Sequence, residues 1–348
     1  MSLKNEIKII GLMGIPIIEK GDSIPIIIID ALKKNSLTLE KGDIIVIAQT
    51  IISKSIGRTR NLNEIIPSNK ALNLCDSITS KLKTQRLPEK APQLIQAILD
   101  ESRRIIKSQH VLITETRHGF ICADAGIDKS NVDGAGVITL LPENPDKEAE
   151  EIRIALKKKT EKEIAVIISD SFGRAFRLGA IGTAIGVSGI DPVLDMRGKK
   201  DLFGKELQTT LIGQVDSLAA AAQLVMGESN EGIPIVLIRG YNFEFNKKTT
   251  INSILREKEI DLFRENQEDV LKRFLKKRRS YKLPFSTQNV DRKIIEECIE
   301  IARWAPSAHN GQFWRYIILE RDMIRDSLIT KMNEKLKVDL QKDGKSEE

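Results

Sequence analysis

Cysteine is scarce in this sequence. Cys75, Cys122 and Cys298 are the only three in 348 residues, and no two share a CxxC spacing. Neither a disulfide framework nor a structural zinc site is readable from that spacing. Histidine is equally rare, and His110, His118 and His309 form no HExxH pair. Aromatics make up 4% of the chain, and 22 glycines and 11 prolines are too few for a collagen-like or low-complexity protein. The most apolar run, residues 24–32, holds a proline and an aspartate and is too short to cross a bilayer. The opening MSLKNEIKII lacks the charged, apolar, small-residue order of a secretory leader. A cytoplasmic setting with reduced thiols, and no membrane partner, is therefore expected. No GxxxxGK[ST] occurs, so an ordinary P-loop is excluded, and the glycines of GTAIGVSG (182–189) do not fit GxGxxG. No segment repeats internally.

What is present suits a folded chain. Hydrophobic residues are 41% and charged residues 30%, enough apolar mass to bury a core. Lys and Arg number 55 against 49 Asp and Glu, and the resulting +6 is too mild to argue for nucleic acid. Short Ile/Val runs at 7–10, 44–47, 111–114, 137–141, 164–169 and 235–238 read as buried strands. Alternation over 207–215 reads as an antiparallel, half-exposed strand. Helical patterns span 24–34, 93–107, 146–159 and 216–226. The third places acids in its first turn and bases in its last, as the helix dipole favours. Strands and helices alternate without a βαβ rhythm, so a mixed α+β sheet is expected.

Composition shifts after about Tyr241. The division expected is a first domain over 1–248, a charged helical connector over 249–277, and a further segment over 278–348. That last segment reads as a helix (291–304), a strand (314–319) and a trailing helix. The basic run from Lys272 to Lys282 has no acid and few aromatics, and reads as a solvated helix face rather than a nucleic-acid patch.

Four clusters could carry chemistry. Asp128 lies in HGFICADAGIDKSNVDGAG, a loop after a strand, where Asp and Asn also serve as ordinary turn formers. Asp170 and Ser171 end the strand of AVIISDSFGRAFRLG, where their oxygens could hold a hard cation, or one of them could cap a helix. Arg174 and Arg177 follow, able to face an anion or to be a solvated face. LVMGESNEGIPIVLIRG adds Glu228 and a glycine-bearing loop whose amides could surround phosphate oxygens, or simply connect helix to strand. Lys54, in IAQTIISKSIGR, could offer an ammonium to a phosphate or be solvated. Jointly these groups fit metal-assisted phosphoryl transfer.

The stretches GIPII, GDIIVIAQTIISKSIGR, TRHGFICADAGIDKSNV, SDSFGRAFRLGAIGTAIGVSGI, GKKDLFGKELQTT and MGESNEGIPIVLIRG occur in this order. Together they resemble the coenzyme F420-0:γ-glutamyl ligase family over roughly residues 7–245. The resemblance implies a cytoplasmic, homodimeric α+β enzyme of two intertwined subdomains. Such an enzyme uses GTP, Mn²⁺ or Mg²⁺, and K⁺ to add L-glutamate to a deazaflavin precursor through an acyl phosphate. Carried over by motif, Asp128, Asp170, Ser171 and Glu228 are the implied metal ligands, with Asp128, Asp170 and Glu228 at the reacting centre. GTP contacts are implied at Ile15, Pro16, Ile17, Ile18, Gln49, Thr50, Lys54 and Asn131. They continue along Met226, Gly227, Ser229, Asn230, Glu231, Gly232 and Ile233. Gln49 stands where relatives often have a small hydroxyl residue, and Asp124 where they have Asn or Ala.

From Arg278, RRSYK and ARWAPSAHNGQFWRY resemble the phosphate-binding opening and the flavin-binding turn of FMN-dependent nitroreductases. That resemblance implies FMN contacts at Arg278, Arg279, Ser280, Ser307, Asn310 and Gln312, and a flavin oxidoreductase as the alternative activity. Phe313 departs from the proline often found there. The segment corresponds to only about half of such a domain, and a core left half-covered folds poorly. FMN binding by these residues is therefore not expected.

Overall fold

The computed structural model describes residues 6–82, 90–257, 261, 267–279, 288–305, 307, 309, 311–320 and 322–343. The chain divides into two compact units, Met1–Lys277 and Arg278–Glu348. In the first, β1 (Lys8–Gly11) leads through α1 (Ile24–Lys34) to β2 (Ile44–Ala48) and α2 (Gln49–Ser55). The chain then leaves this layer for a smaller lobe. That lobe contains β3 (Thr59–Asn61), α3 (Asn69–Leu82), α4 (Pro92–Glu101), β4 (Ser102–Ser108), β5 (Leu112–Thr116), β6 (Ile121–Ala123) and β7 (Val137–Thr139). It returns through α5 (Pro145–Thr160) to a long hairpin, β8 (Ala165–Arg174) and β9 (Arg177–Ile190). The short pair β10 (Val193–Asp195) and β11 (Leu211–Gly213), then α6 (Gln214–Met226), β12 (Ile235–Arg239) and β13 (Phe245–Asn246), complete the layer. Beyond it lies α7 (Gln267–Lys277).

The main sheet runs β1-β12-β2-β8-β9-β13. Only β2 and β8 are parallel, and the other four pairings are antiparallel. This is the mixed α+β arrangement the sequence implies. Ile44–Ile47 and Ala165–Ile168 are completely buried, which is why both read as unbroken apolar runs rather than as alternation. The smaller lobe has its own apolar centres, around Ile78, Leu94, Ile95 and Ile98 and around Ile65, Ile138 and Leu140. An excursion out of one layer and back into it gives two subdomains that share the chain.

Helix α5 forms as its charge order dictates. The Asn144 side chain accepts from the Lys147 amide, Pro145 sits in the first turn, Asp146 and Glu148 follow, and Lys157–Lys159 end it.

Three expected elements change. The helix expected over 93–107 stops at Glu101, and Ser102–Ser108 form β4 instead. β-Branched Ile105 pairs with Thr114 of β5, the ladder is irregular at Ile106, and Arg104 pairs with Glu115 across it. The strand expected over 207–215 shrinks to Leu211–Gly213, because Gln214 already begins α6. The strand expected over 314–319 does not form. Among the described residues no neighbouring strand pairs with that stretch, and an unpaired strand leaves its amides and carbonyls without partners. Among the described residues of the connector, the helical reading fits α7 and a single 3-10 turn at Ile251–Ile254. Nearer the start, Ile251 is buried in the main core, and the Asp146 carboxylate accepts from the Thr250 hydroxyl and the Ile251 amide. In the second unit, α8 (Arg292–Ala302) and α9 (Met323–Lys342) are capped by Asp291 and Asp322 and bury none of their residues.

Helix α6 lies directly on β9. A Cβ at Gly182 would meet the Ala219 carbonyl oxygen at 2.5 Å, so only glycine allows this approach. The glycines that failed to match a dinucleotide fingerprint thus include a helix-packing contact. Gly182→Ala should push α6 away from the sheet and destabilise the fold by about 1–3 kcal/mol. A guanidinium unfolding midpoint equal to the parent's would contradict this packing.

Candidate active site

The parallel pair determines where the site lies. Ala48 of β2 is in register with Ser169 of β8, so α2 starts beside Asp170 and Ser171. β12 runs the other way, and the Ala48 amide donates to the Pro234 carbonyl at 2.8 Å. The loop before β12 therefore ends at the same edge. There the structure has a cleft of about 620 Å³. Its walls include Gln49, Thr50, Lys54, Asp128, Asn131, Asp170, Ser171 and the whole run Met226–Ile233. Loop and strand-end positions of this kind are where α/β sheets hold ligands.

The cap alternative for Asp170 and Ser171 falls, because β8 continues to Arg174 and turns into β9 without a helix. Asp170 Oδ1 accepts from the Ser171 amide at 2.8 Å. The Ser171 hydroxyl donates to Glu228 Oε1 at 2.5 Å. Burial, reinforced by the charges of Asp128 and Glu228, pushes the Asp170 carboxyl up to about 7 against the pull of the Ser171 amide. Asp128 is held by both readings of its loop. Its backbone bridges Thr139, while its carboxylate accepts from the Ser130 amide at 2.7 Å and from the Ser130 hydroxyl. Among the described residues none of these three carboxylates is ion-paired with a cation. Nor do any three Asp, Glu, His or Cys groups there enclose a single ion. The oxygens present suit a hard cation whose shell is completed by water and phosphate rather than by an all-protein cage.

A second chain of contacts closes the cleft's other side. Lys54 Nζ donates to the Asn131 carbonyl, and Asn131 Nδ2 donates to the Ser229 carbonyl at 3.3 Å. α2, the loop after β6 and the loop before β12 are thereby tied together. Partial burial lowers the Lys54 pKa, and the charge of Asp128 opposes that. Gly227 ends α6 at φ 70°, with the Glu231 carboxylate where a side chain would stand. Asn131 also adopts positive φ, at 51°, a strained conformation of the sort found at binding loops. Gln49 is completely enclosed, and its amide nitrogen donates to Ser53 Oγ at 2.5 Å and to the Leu140 carbonyl at 3.1 Å. Its side chain ties α2 to the residue after β7.

Some expected contacts lie elsewhere. Ile15, Pro16, Ile17 and Ile18 are not among the cleft walls. Ile18 is buried in the main core, and Ile17 is exposed between β1 and α1. Arg278 and Arg279 are exposed, and Arg279 donates to the Arg278 carbonyl. The Gln312 amide donates to Ser307 Oγ at 3.1 Å. Ser280 and Asn310 fall outside the described residues. Sequence reasoning missed Ser130, which holds Asp128, and Gln223, which touches Glu228. It also missed the Lys90–Asp124 ion pair beside the cleft. For Gln223 a signal existed, since it continues the face of α6 that carries Asp216 and Ala219.

Fold and cleft together define a mixed α+β protein with an acid-lined cleft, rimmed by loop amides, at the end of its main sheet. Across residues 13–240 the chain matches the family described as F420-0:Gamma-glutamyl ligase, and across residues 275–348 the Nitroreductase family. It is 46% identical over 260 residues to the coenzyme F420:L-glutamate ligase of Methanothermobacter thermautotrophicus, covering 74% of this chain and 99% of that one. The enzyme of the same name from Methanocaldococcus jannaschii is 45% identical over 262 residues, covering 75% and 98%. That of Archaeoglobus fulgidus is 35% identical over 271 residues, covering 78% and 98%. The chain belongs to the F420-0:gamma-glutamyl ligase family and carries a nitroreductase-family segment after it.

The raised Asp170 carboxyl has a consequence for stability. Its folded pKa of about 7 lies above the ordinary 3.8. The stability it contributes is thus complete below about pH 4 and is lost as pH rises through 7. With chelator present, Asp170→Asn should melt about 2 °C or more above the parent at pH 8, and level with it near pH 4. The same melting difference at both pH values would rule out the shift.

Proposed function

We propose that this chain adds L-glutamate to coenzyme F420-0 at the expense of GTP, as a step in making coenzyme F420. The observation that supports this best is the gathering of Asp128, Asp170, Glu228, Lys54 and the Met226–Ile233 loop around one cleft. It is supported too by the relatives, whose names give coenzyme F420 and L-glutamate.

In this reading the precursor's terminal carboxylate attacks the γ-phosphorus of GTP, and GDP leaves. The acyl phosphate so formed is attacked by the glutamate amine, and the C–O bond to phosphate breaks as the amide forms. The amine's proton leaves with solvent or a cleft carboxylate. Little covalent chemistry falls to the protein, so positioning and charge do most of the work. Loop amides from Gly227 to Ile233 would line the phosphates, and the Lys54 ammonium would sit beside their charge. Mn²⁺ or Mg²⁺ bound through Asp128, Asp170, Ser171 and Glu228 would neutralise charge on the triphosphate, with K⁺ as an accompanying ion.

The reading places the enzyme in the cytoplasm as a homodimer, with small molecules rather than nucleic acid or membrane as its partners. Among the described residues no helix is long and apolar enough to cross a membrane.

The test is incubation with GTP, Mn²⁺, L-glutamate and F420-0, followed by mass analysis. The product should gain glutamyl mass, with GDP and phosphate released. Asp170→Asn should lower turnover by at least about 100-fold, the size of effect expected when charge stabilisation is removed from such a centre. Its circular dichroism should match the parent's, because Asn keeps the size of Asp and position 170 lies just past the fully buried stretch of β8. Glutamate incorporation by the variant at the parent's rate would remove Asp170 from the proposed site.

A further inference from the structure

Helix α6 and strand β9 are stitched together along one face of the helix. Asp216 Oδ1 accepts from the Ala184 amide at 3.0 Å, Ala219 touches Gly182, and Gln223 Oε1 accepts from the Gly182 amide at 2.7 Å. Positions 216, 219 and 223 are spaced i, i+3 and i+7, so they share that face. The Gly182 bond settles which way the Gln223 amide points. A backbone N–H can only donate, so the carbonyl end of Gln223 must face it, and the NH₂ end must face outward. That outward end donates to Glu228 Oε1.

Glu228 comes directly after Gly227, where the chain reverses out of α6. It belongs to a solvent-exposed loop, and an exposed Glu at a loop start would ordinarily sample several rotamers. Here two donors converge on one oxygen: Gln223 Nε2 from the helix and Ser171 Oγ from β8. Oε2 accepts no hydrogen bond among the described residues. One carboxylate oxygen is held by the scaffold and the other is left for a ligand, an arrangement characteristic of groups that orient cation-binding carboxylates.

We infer that Gln223 is a positioning residue, which fixes Glu228 in the cleft by bridging it to the backbone of β9. This rests on the cation-assisted reading of the cleft. It adds a residue that contacts neither nucleotide nor cation and acts only through Glu228.

The test uses the full chain and Mn²⁺ alone, with free Mn²⁺ followed by electron paramagnetic resonance. Gln223→Met has similar length and no hydrogen bond, and Gln223→Asn is polar but too short to span from Gly182 to Glu228. Both should weaken Mn²⁺ binding by about 10-fold or more. Asp216→Ala removes another stitch of the same seam that does not reach Glu228. It should lower the melting temperature while leaving Mn²⁺ affinity within about twofold. If Gln223 only packs helix on strand, the Asp216 and Gln223 variants will lose melting temperature alike and bind Mn²⁺ alike, and that outcome overturns the role. Should Gln223→Met fail to fold, Gln223→Asn carries the comparison. Parent protein that binds Mn²⁺ while both Gln223 variants bind it equally well overturns the Gln223 role alone. Parent protein that binds no Mn²⁺ overturns the cation reading and the Gln223 role with it.

Discussion

The cleft depends on the parallel pairing of β2 with β8. Every other neighbour in the main sheet is antiparallel, and antiparallel strands deliver their carboxyl ends to opposite edges. One parallel pair brings two carboxyl ends to one edge, in register from Ile44↔Ala165 to Ala48↔Ser169. β12 lies on the far side of β2 and runs backwards, so its amino end arrives there as well. Three segments distant in sequence, around residues 49, 170 and 230, meet as a consequence of strand direction. The central strands carry no polar side chain until Ser169, so the chemistry is confined to the edge.

Once there, the carboxylates must be tolerated. Asp128, Asp170 and Glu228 are close enough that two of them raise the proton affinity of the third. Mutual repulsion would ordinarily drive exposed acids to turn away from one another. Short hydrogen bonds hold them instead. Ser130 holds Asp128, the Ser171 amide holds Asp170, and Ser171 with Gln223 holds Glu228. These donors are neutral. They fix direction while leaving the negative charge in place, which is the requirement of a site that awaits a positive ligand.

Much of this was legible in the sequence, and the exceptions have physical causes. The buried strands were readable because IIVI and AVII have no polar interruption. α5 was readable because its caps and charges agree with its dipole. Most of the candidate site residues were readable from the order of motifs, and the cleft brings Gln49, Thr50, Lys54, Asp128, Asn131, Asp170, Ser171 and the 226–233 run together. The change from α4 to β4 was not readable, since residues 93–107 keep a helical spacing of apolar positions and only pairing with β5 decides against it. The unformed strand over 314–319 failed for the converse reason, that an apolar run becomes a strand only beside another strand. Ser130 and the Glu228 contact of Gln223 were not readable because each depends on how a side chain turns toward an acid two to five residues away, which spacing alone does not fix.

The balance of charge in the cleft constrains how its ligands can enter. Asp124, Asp128, Asp170, Glu228 and Glu231 line it, against Lys54 as the only Lys or Arg among the described lining residues. Lys90 pairs with Asp124 and offsets one acid. What remains is net negative. A nucleoside triphosphate brought alone into that field would be repelled, at several kcal/mol for each close pair of charges in a partly dry site. A divalent cation reverses the sign of the encounter, since it relieves the acids first and then attracts phosphate. In the ligase reading, therefore, cation and nucleotide enter as one unit or with the cation ahead. Nucleotide affinity should then collapse without the cation, rather than merely weaken, because the residual charge opposes the ligand instead of ignoring it.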